Sequence, residues 1–293
     1  MDQAVGLRDK KGASWKNCFS QSLTPTPRPI RVIAVSSGKG GVGKSTVVVN
    51  LAMAFDRMGK RVLIMDADLG LANIDIFLGL TPQQNISHVL QGKRRLQEVL
   101  VDGPGNIRIM PASSGVQELT QLTDEQKLMF LEMIDELEHN IDILLIDTGA
   151  GISDTVLYFN LAAQEKIIVV TPEPTSLTDA YALIKVLYTR HGERHFRILT
   201  NAVENDKAGK AIFSQLSKVA DHFLDGISMD YIGSIPRDPS IPLALMQQKP
   251  FIELFPQTSA AKAFTALAQK IDKSLPPRNY GNVQFFWKSL LRV

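Results

Sequence analysis

Gly38-Lys39-Gly40-Gly41-Val42-Gly43-Lys44-Ser45-Thr46 follows the apolar run at 30–35 and opens a segment, 45–58, with helical spacing. A glycine-rich loop between a strand and a helix is the setting that a P-loop requires. Gly38, Gly40, Gly41 and Gly43 let the backbone curl so that successive amide N–H groups point at a phosphate chain, and the helix N-terminus adds a favourable dipole. In that frame Lys44 reaches the β- and γ-phosphates, the Ser45 hydroxyl meets Mg2+, and Thr46 contacts the α-phosphate side.

Outward from the loop, short apolar runs recur at 62–65, 107–110, 141–146, 167–170, 196–199 and 231–235. Helical spacing falls between several of them, at 124–138, 179–189 and 208–223. Continuous apolar strands alternating with helices predict an α/β fold, a single P-loop NTPase domain with a mostly parallel sheet and helices on both faces. In such sheets ligands bind beyond the carboxyl ends of the strands. There the run 141–146 ends in Asp147, the position of a Walker B carboxylate that holds a magnesium-bound water, followed by Thr148-Gly149-Ala150-Gly151, a loop able to sense a γ-phosphate. The run 62–65 ends in Asp66-Ala67-Asp68-Leu69-Gly70-Leu71-Ala72-Asn73. A guanine reader would present Asn-Lys-x-Asp after a strand, its carboxylate accepting from guanine N–H groups. The matching segment here is Asn201-Ala202-Val203-Glu204, which lacks the lysine and the aspartate and favours ATP.

A chain of 293 residues, 44% hydrophobic, can bury one sizeable core. Its net charge of +2 is unevenly spread: residues 1–29 hold five Lys/Arg against two Asp, and residues 276–293 hold three Lys/Arg with no acid, leaving a mildly acidic body. Residues 1–29 end in Thr24-Pro25-Thr26-Pro27-Arg28-Pro29 and read as a flexible extension; the folded body is expected over 30–275. Residues 276–293 read as a linker and an amphipathic helix, because about 100° per residue places Val283, Phe286, Trp287, Leu290, Leu291 and Val293 on one side. Gln284, Lys288, Ser289 and Arg292 fall opposite, and only Phe285 breaks the pattern. Aromatic anchors with cationic flanks suit an interfacial helix on an anionic membrane, and one so short needs lipid or a groove to hold it. The single cysteine, Cys18, excludes an intramolecular disulfide framework and any Cys-x-x-Cys metal site. No apolar stretch is long enough for a signal peptide or a spanning helix, so a cytoplasmic protein that at most rests on a membrane is expected.

Lys39 is an extra lysine that a minimal P-loop does not require. With it the loop resembles the deviant Walker A motif of the MinD/ParA group of ATPases, a resemblance that covers about residues 30–270. What the resemblance implies is an ATP-bound homodimer and an ADP-bound monomer, with slow hydrolysis. Lys39 would cross the interface and neutralise the partner's phosphates, as a trans arginine finger does. By the same resemblance Asp68 would position the attacking water, with Asp66 supporting the magnesium shell. Asn201 would hydrogen-bond adenine, the loop Pro236-Arg237-Asp238 would pack beside it, and Glu173 would lie at the interface near the ribose.

Three segments are similar to the flagellar-number regulators of this group (FlhG, also called FleN): Asp2-Gln3-Ala4-Val5-Gly6-Leu7-Arg8, the run 173–185, and the carboxyl end. That similarity implies an FlhF-type GTPase stimulated through Asp2, Gln3, Ala4, Leu7 and Arg8, a restrained σ54-dependent flagellar transcription activator (FleQ-like), contacts with flagellar C-ring proteins, and membrane association in the ATP state, at a cell pole. The alternative within the group is a positioning ATPase for another cargo, a septum, plasmid or chromosome. A DNA-coating version needs a basic stripe, whereas Lys207, Lys210 and Lys218 are interleaved with Asp206 and Asp221, so no direct nucleic acid is expected. An iron-sulfur carrier would need cysteine ligands. A metabolic ligase or kinase would hydrolyse ATP without regard to protein concentration or lipid.

Overall fold

The computed structural model describes residues 30–68, 74–111, 137 and 140–275. Its strands are β1 (Arg31–Ser37), β2 (Val62–Ala67), β3 (Val101–Asp102), β4 (Ile107–Met110), β5 (Ile143–Ala150), β6 (Glu165–Val170), β7 (His195–Val203) and β8 (Ser228–Pro236). They form one sheet in the order β3-β4-β2-β5-β1-β6-β7-β8. Every pairing is parallel except β3 with β4. That antiparallel edge is too short for its apolar pattern to be read from sequence.

Strands in the middle are apolar at every position because both faces are covered. Ile33 and Val35 of β1 turn to one face, where the helix Lys44–Asp56 and the helix Ser259–Lys273 bury Val47, Leu51, Phe55, Phe264 and Leu267 against them. Val32 and Ala34 turn to the other, toward Phe159 of the helix Asp154–Ala162. Farther along, Ile168, Val170, Phe196 and Ile198 pack under the helices Pro174–His191 and Asp206–Phe223. The helix at 174–191 is longer than the spacing suggested. Proline occupies its first position, where an absent N–H costs nothing, and Gly192 at φ 73 stops it.

The helix Ser259–Lys273 buries Ala260, Phe264, Leu267 and Ile271 at helical spacing, and the Thr258 side chain caps its start by accepting from Ala261 N at 3.2 Å. At its far end Arg31 donates to the carbonyls of Ile271 and, at 3.1 Å, Ser274. The same guanidinium pairs with buried Glu165, which Arg197 also meets at 2.5 Å. Glu165 thus neutralises one guanidinium of two in a buried cluster and ties the bottom of β1, β6 and β7 to that helix. Strands β5, β7 and β8 run past the sequence-derived limits and carry Asp147, Asn201 and Pro236 within them. Residues 1–29, 69–73, most of the expected helix at 124–138, and 276–293 lie outside the described residues; so do the activator-like segment at Asp2 to Arg8 and the amphipathic segment. Among the described residues no helix is long and apolar enough to cross a membrane.

Candidate nucleotide-binding site

The loop after β1 stands at the centre of the sheet, between the carboxyl ends of β5 and β6, with neighbours diverging to either side. Such a strand-order reversal is where open α/β sheets bind ligands. Close packing fixes the loop's start: a Cβ on Gly38 would overlap the backbone carbonyl of Asp179 in the helix Pro174–His191. Gly43 caps the following helix at φ 88, and a Cβ there would come within 2.5 Å of Asn201 Nδ2. Lys44, Thr46 and Val42 are buried.

Asn201 reaches this loop directly, its Nδ2 donating to Val42 O at 2.8 Å. The family resemblance implied an adenine contact for Asn201; in this structure its amide N–H also braces the phosphate loop. The next residue, Ala202, has φ 55, a left-handed conformation costly for a residue with a Cβ, and coincides with a bulge between β7 and β8. The bulge brings the two loops together, with Arg237 N donating to Val203 O at 2.7 Å. Asp238 accepts from Ser240 N at 2.9 Å and starts the helix Ser240–Met246. Pro236 and Arg237 thus meet Val203, two residues after Asn201.

The carboxylates converge from two neighbouring strands. In the β2–β5 register Asp66 faces Asp147 and Ala67 faces Thr148. Asp66 accepts from the backbone N–H of Asp68 at 3.1 Å and of Ile74 at 3.1 Å, holding both ends of the 69–73 segment. Asp68 lies beside Gly149, where an added Cβ would be 3.5 Å from Asp68 Oδ1. Asp147 is buried, Oδ1 has no hydrogen-bond partner among the described residues, and the Ser45 hydroxyl donates to its carboxylate. Burial, and then the nearby Asp66, push its pKa up to about 7, against the opposing hydrogen bond from Ser45. A divalent cation fits this donor set: it would engage the orphaned oxygen and favour the charged carboxylate.

Lys39 and Glu173 meet within one chain. The Lys39 ammonium pairs with the Glu173 carboxylate and donates to Thr175 Oγ1 at 3.0 Å, with both partners of the pair partly exposed. The sequence assigned Lys39 to a partner's phosphates and Glu173 to a ribose, and gave no sign of their pairing or of Thr175. The family model for ParA, described as NUBPL iron-transfer P-loop NTPase, matches residues 29–272. The chain belongs to the ParA/MinD family of P-loop NTPases. Within the ParA/MinD family, it is 46% identical over 265 residues to the antiactivator FleN of Pseudomonas aeruginosa, covering 90% of this chain and 94% of that one. It is 32% identical to the flagellum site-determining protein YlxH of Helicobacter pylori, over 81% of this chain and 80% of that protein. Among solved ParA/MinD structures, the septum site-determining protein MinD of Pyrococcus horikoshii, complexed with Mg-ADP, matches with a TM-score of 0.65 and 28% identity, over 83% of this chain and 96% of that one.

Proposed function

We propose that this ParA/MinD-type NTPase is an ATP-driven dimerising switch that limits flagellar number and sets flagellar placement. The observation that carries the reading is the 46% identity to FleN over 94% of that protein's length. Deleting the chromosomal gene and counting flagella by electron microscopy tests it: altered number is expected, and unchanged flagellation rejects it.

At the site the chain's own groups divide the work. The loop from Gly38 to Gly43 cradles the phosphates, Lys44 reaches the β- and γ-phosphates, and Thr46 contacts the α-phosphate side. Ser45, Asp147 and, behind them, Asp66 hold Mg2+, which supplies charge neutralisation between the phosphates. Asp68 orients the attacking water. Asn201, Pro236, Arg237 and Asp238 border the base, and Glu173 lies near the ribose.

Lys39 leaves Glu173 to reach the phosphates of a second copy, which makes the ATP-bound state a dimer and the ADP-bound state a monomer. Lys39→Ala is therefore expected to bind ATP within about threefold of the parent affinity yet remain monomeric in light scattering, since the cradle N–H groups and Lys44 are untouched. A Lys39→Ala protein that dimerises with ATP rejects the role.

The output is location and partner choice. The amphipathic segment carrying Val283, Phe286, Trp287, Leu290 and Leu291 anchors the ATP dimer on an anionic membrane, two weak anchors acting together, while the ADP monomer is cytoplasmic. The segment from Asp2 to Arg8 stimulates an FlhF-type GTPase, and the folded body restrains a σ54-dependent flagellar transcription activator and meets C-ring proteins. A DNA-tracking role has less support, since Lys210 is paired with Asp206 at 2.8 Å.

A further inference from the structure

Three buried polar side chains lie beneath the loop that follows Asp147, and the reading above uses none of them. Asn160 is fully buried in the last turn of the helix Asp154–Ala162. Asparagine is a poor helix former, and a buried polar group left unpaired loses its hydration with nothing in return. Here the whole amide is engaged: Nδ2 donates to Val156 O at 2.7 Å and to Ser36 Oγ at 2.8 Å, while Oδ1 lies 3.1 Å from Ser36 Oγ. Ser36 Oγ is 2.8 Å from Thr148 Oγ1. Thr148 Oγ1 in turn is 3.0 Å from the Gly149 carbonyl and 3.2 Å from that of Val35. One run of hydrogen bonds thus joins the strand feeding the P-loop, the strand carrying Asp147 and the helix beyond the γ-phosphate loop.

The hydroxyls of Ser36 and Thr148 each carry a single proton, and two arrangements fit the distances, of which only the second also gives Asn160 Oδ1 a donor. In the first, Asn160 donates to Ser36, Ser36 to Thr148, and Thr148 to the carbonyls of Gly149 and Val35, the former nearer at 3.0 Å. In the second, Thr148 donates to Ser36 and Ser36 to Asn160 Oδ1, which releases the Gly149 carbonyl. With Ser36, Thr148 and Asn160 all buried, bulk water does not replace a lost bond. Gly149 borders Asp68, so the arrangement in which Thr148 holds the Gly149 carbonyl ties that peptide next to the Asp68 carboxylate.

The geometry points to Ser36, Thr148 and Asn160 as a positioning relay that fixes the Gly149 peptide beside Asp68 for hydrolysis and couples its turn to the helix Asp154–Ala162. The relay rests on the reading of the chain as an ATP-hydrolysing switch, and its members act through Gly149 and Asp68. Thr148→Val keeps the side-chain shape and removes the proton; Asn160→Leu removes the amide; Ser36→Ala is the mildest break. In the full chain each is expected to lower kcat by about tenfold or more while the affinity for a fluorescent ATP analogue stays within about threefold. Thr148→Ser, which keeps the proton, stays within about threefold of the parent kcat, and the Thr148→Val/Asn160→Leu double variant falls no further than either single change.

An unchanged kcat in Thr148→Val overturns the relay. So does a parallel fall of kcat, affinity and thermal midpoint in all three single variants, or a double variant whose loss is the product of the two. If Thr148→Val does not fold, Ser36→Ala decides by the same split. A parent chain that hydrolyses no ATP overturns the switch reading and the relay with it, whereas a hydrolysing parent with an equally active Thr148→Val overturns the relay alone.

Discussion

Asp68→Ala is expected to bind ATP with nearly parental affinity and to hydrolyse it at least about 100-fold more slowly, the scale of losing a group that positions a proton transfer. The two effects separate because they use different atoms. On the proposed reading, affinity comes from the backbone of Gly38 to Gly43, from Lys44 and from Asn201 bracing Val42 O. Turnover needs a carboxylate beside the γ-phosphate loop, and Asp68 is the one bordering Gly149. With binding intact and turnover blocked, ATP-bound dimer accumulates. Light scattering with ATP reads the dimer and phosphate release reads the turnover; a fully active Asp68→Ala protein sinks the assignment. Removing Asp68 also takes away a charge that raises the Asp147 pKa, so a slightly more acidic Asp147 accompanies the change.

Asp147→Asn is expected to abolish Mg2+-dependent hydrolysis and, without nucleotide, to stabilise the fold above neutral pH. In the parent, burial and then Asp66 push the Asp147 pKa up to about 7, well above the ordinary aspartate value of about 3.9. Below about pH 3 both folded and unfolded chains carry the proton, and this group contributes no pH dependence. As pH rises toward 7 the unfolded chain loses its proton first, so the folded state binds more protons and stability falls. Above about pH 7 the loss levels off, at an order of magnitude of about 4 kcal/mol from about three pKa units. Asparagine keeps the shape and removes this slope. The thermal midpoint between pH 4 and pH 8 measures it: the parent falls, the variant stays flatter, and the two cross as the penalty develops. Mg2+ with nucleotide raises the parent's midpoint at pH 8 by more than the variant's, because the cation favours a carboxylate the variant lacks. A variant with the parental pH slope rejects the buried-charge account.

Much of the site was readable in sequence for a local reason. The P-loop needs contiguous residues in one order, and Asp147 follows directly on an apolar run that could only be a buried strand. The misplaced limits have the same origin: β5 and β7 extend at their carboxyl ends through Thr148, Thr200 and Asn201, polar residues at the site, so an apolar criterion stopped short. Asp154–Ala162 was not singled out, since a short helix buried on a broad face has weak periodicity.

By itself, then, the sequence determined the alternation of strands and helices, the phosphate loop and the carboxylates at strand ends, all carried by spacing within a few residues. Only the tertiary structure decided which of these meet. Lys39 and Glu173 are 134 residues apart, Asn201 and Val42 are 159 apart, and Ser36 and Thr148 are 112 apart. No periodicity encodes such pairings. They follow from strand order and register, which are fixed when the parallel crossovers bury both faces of the sheet at once.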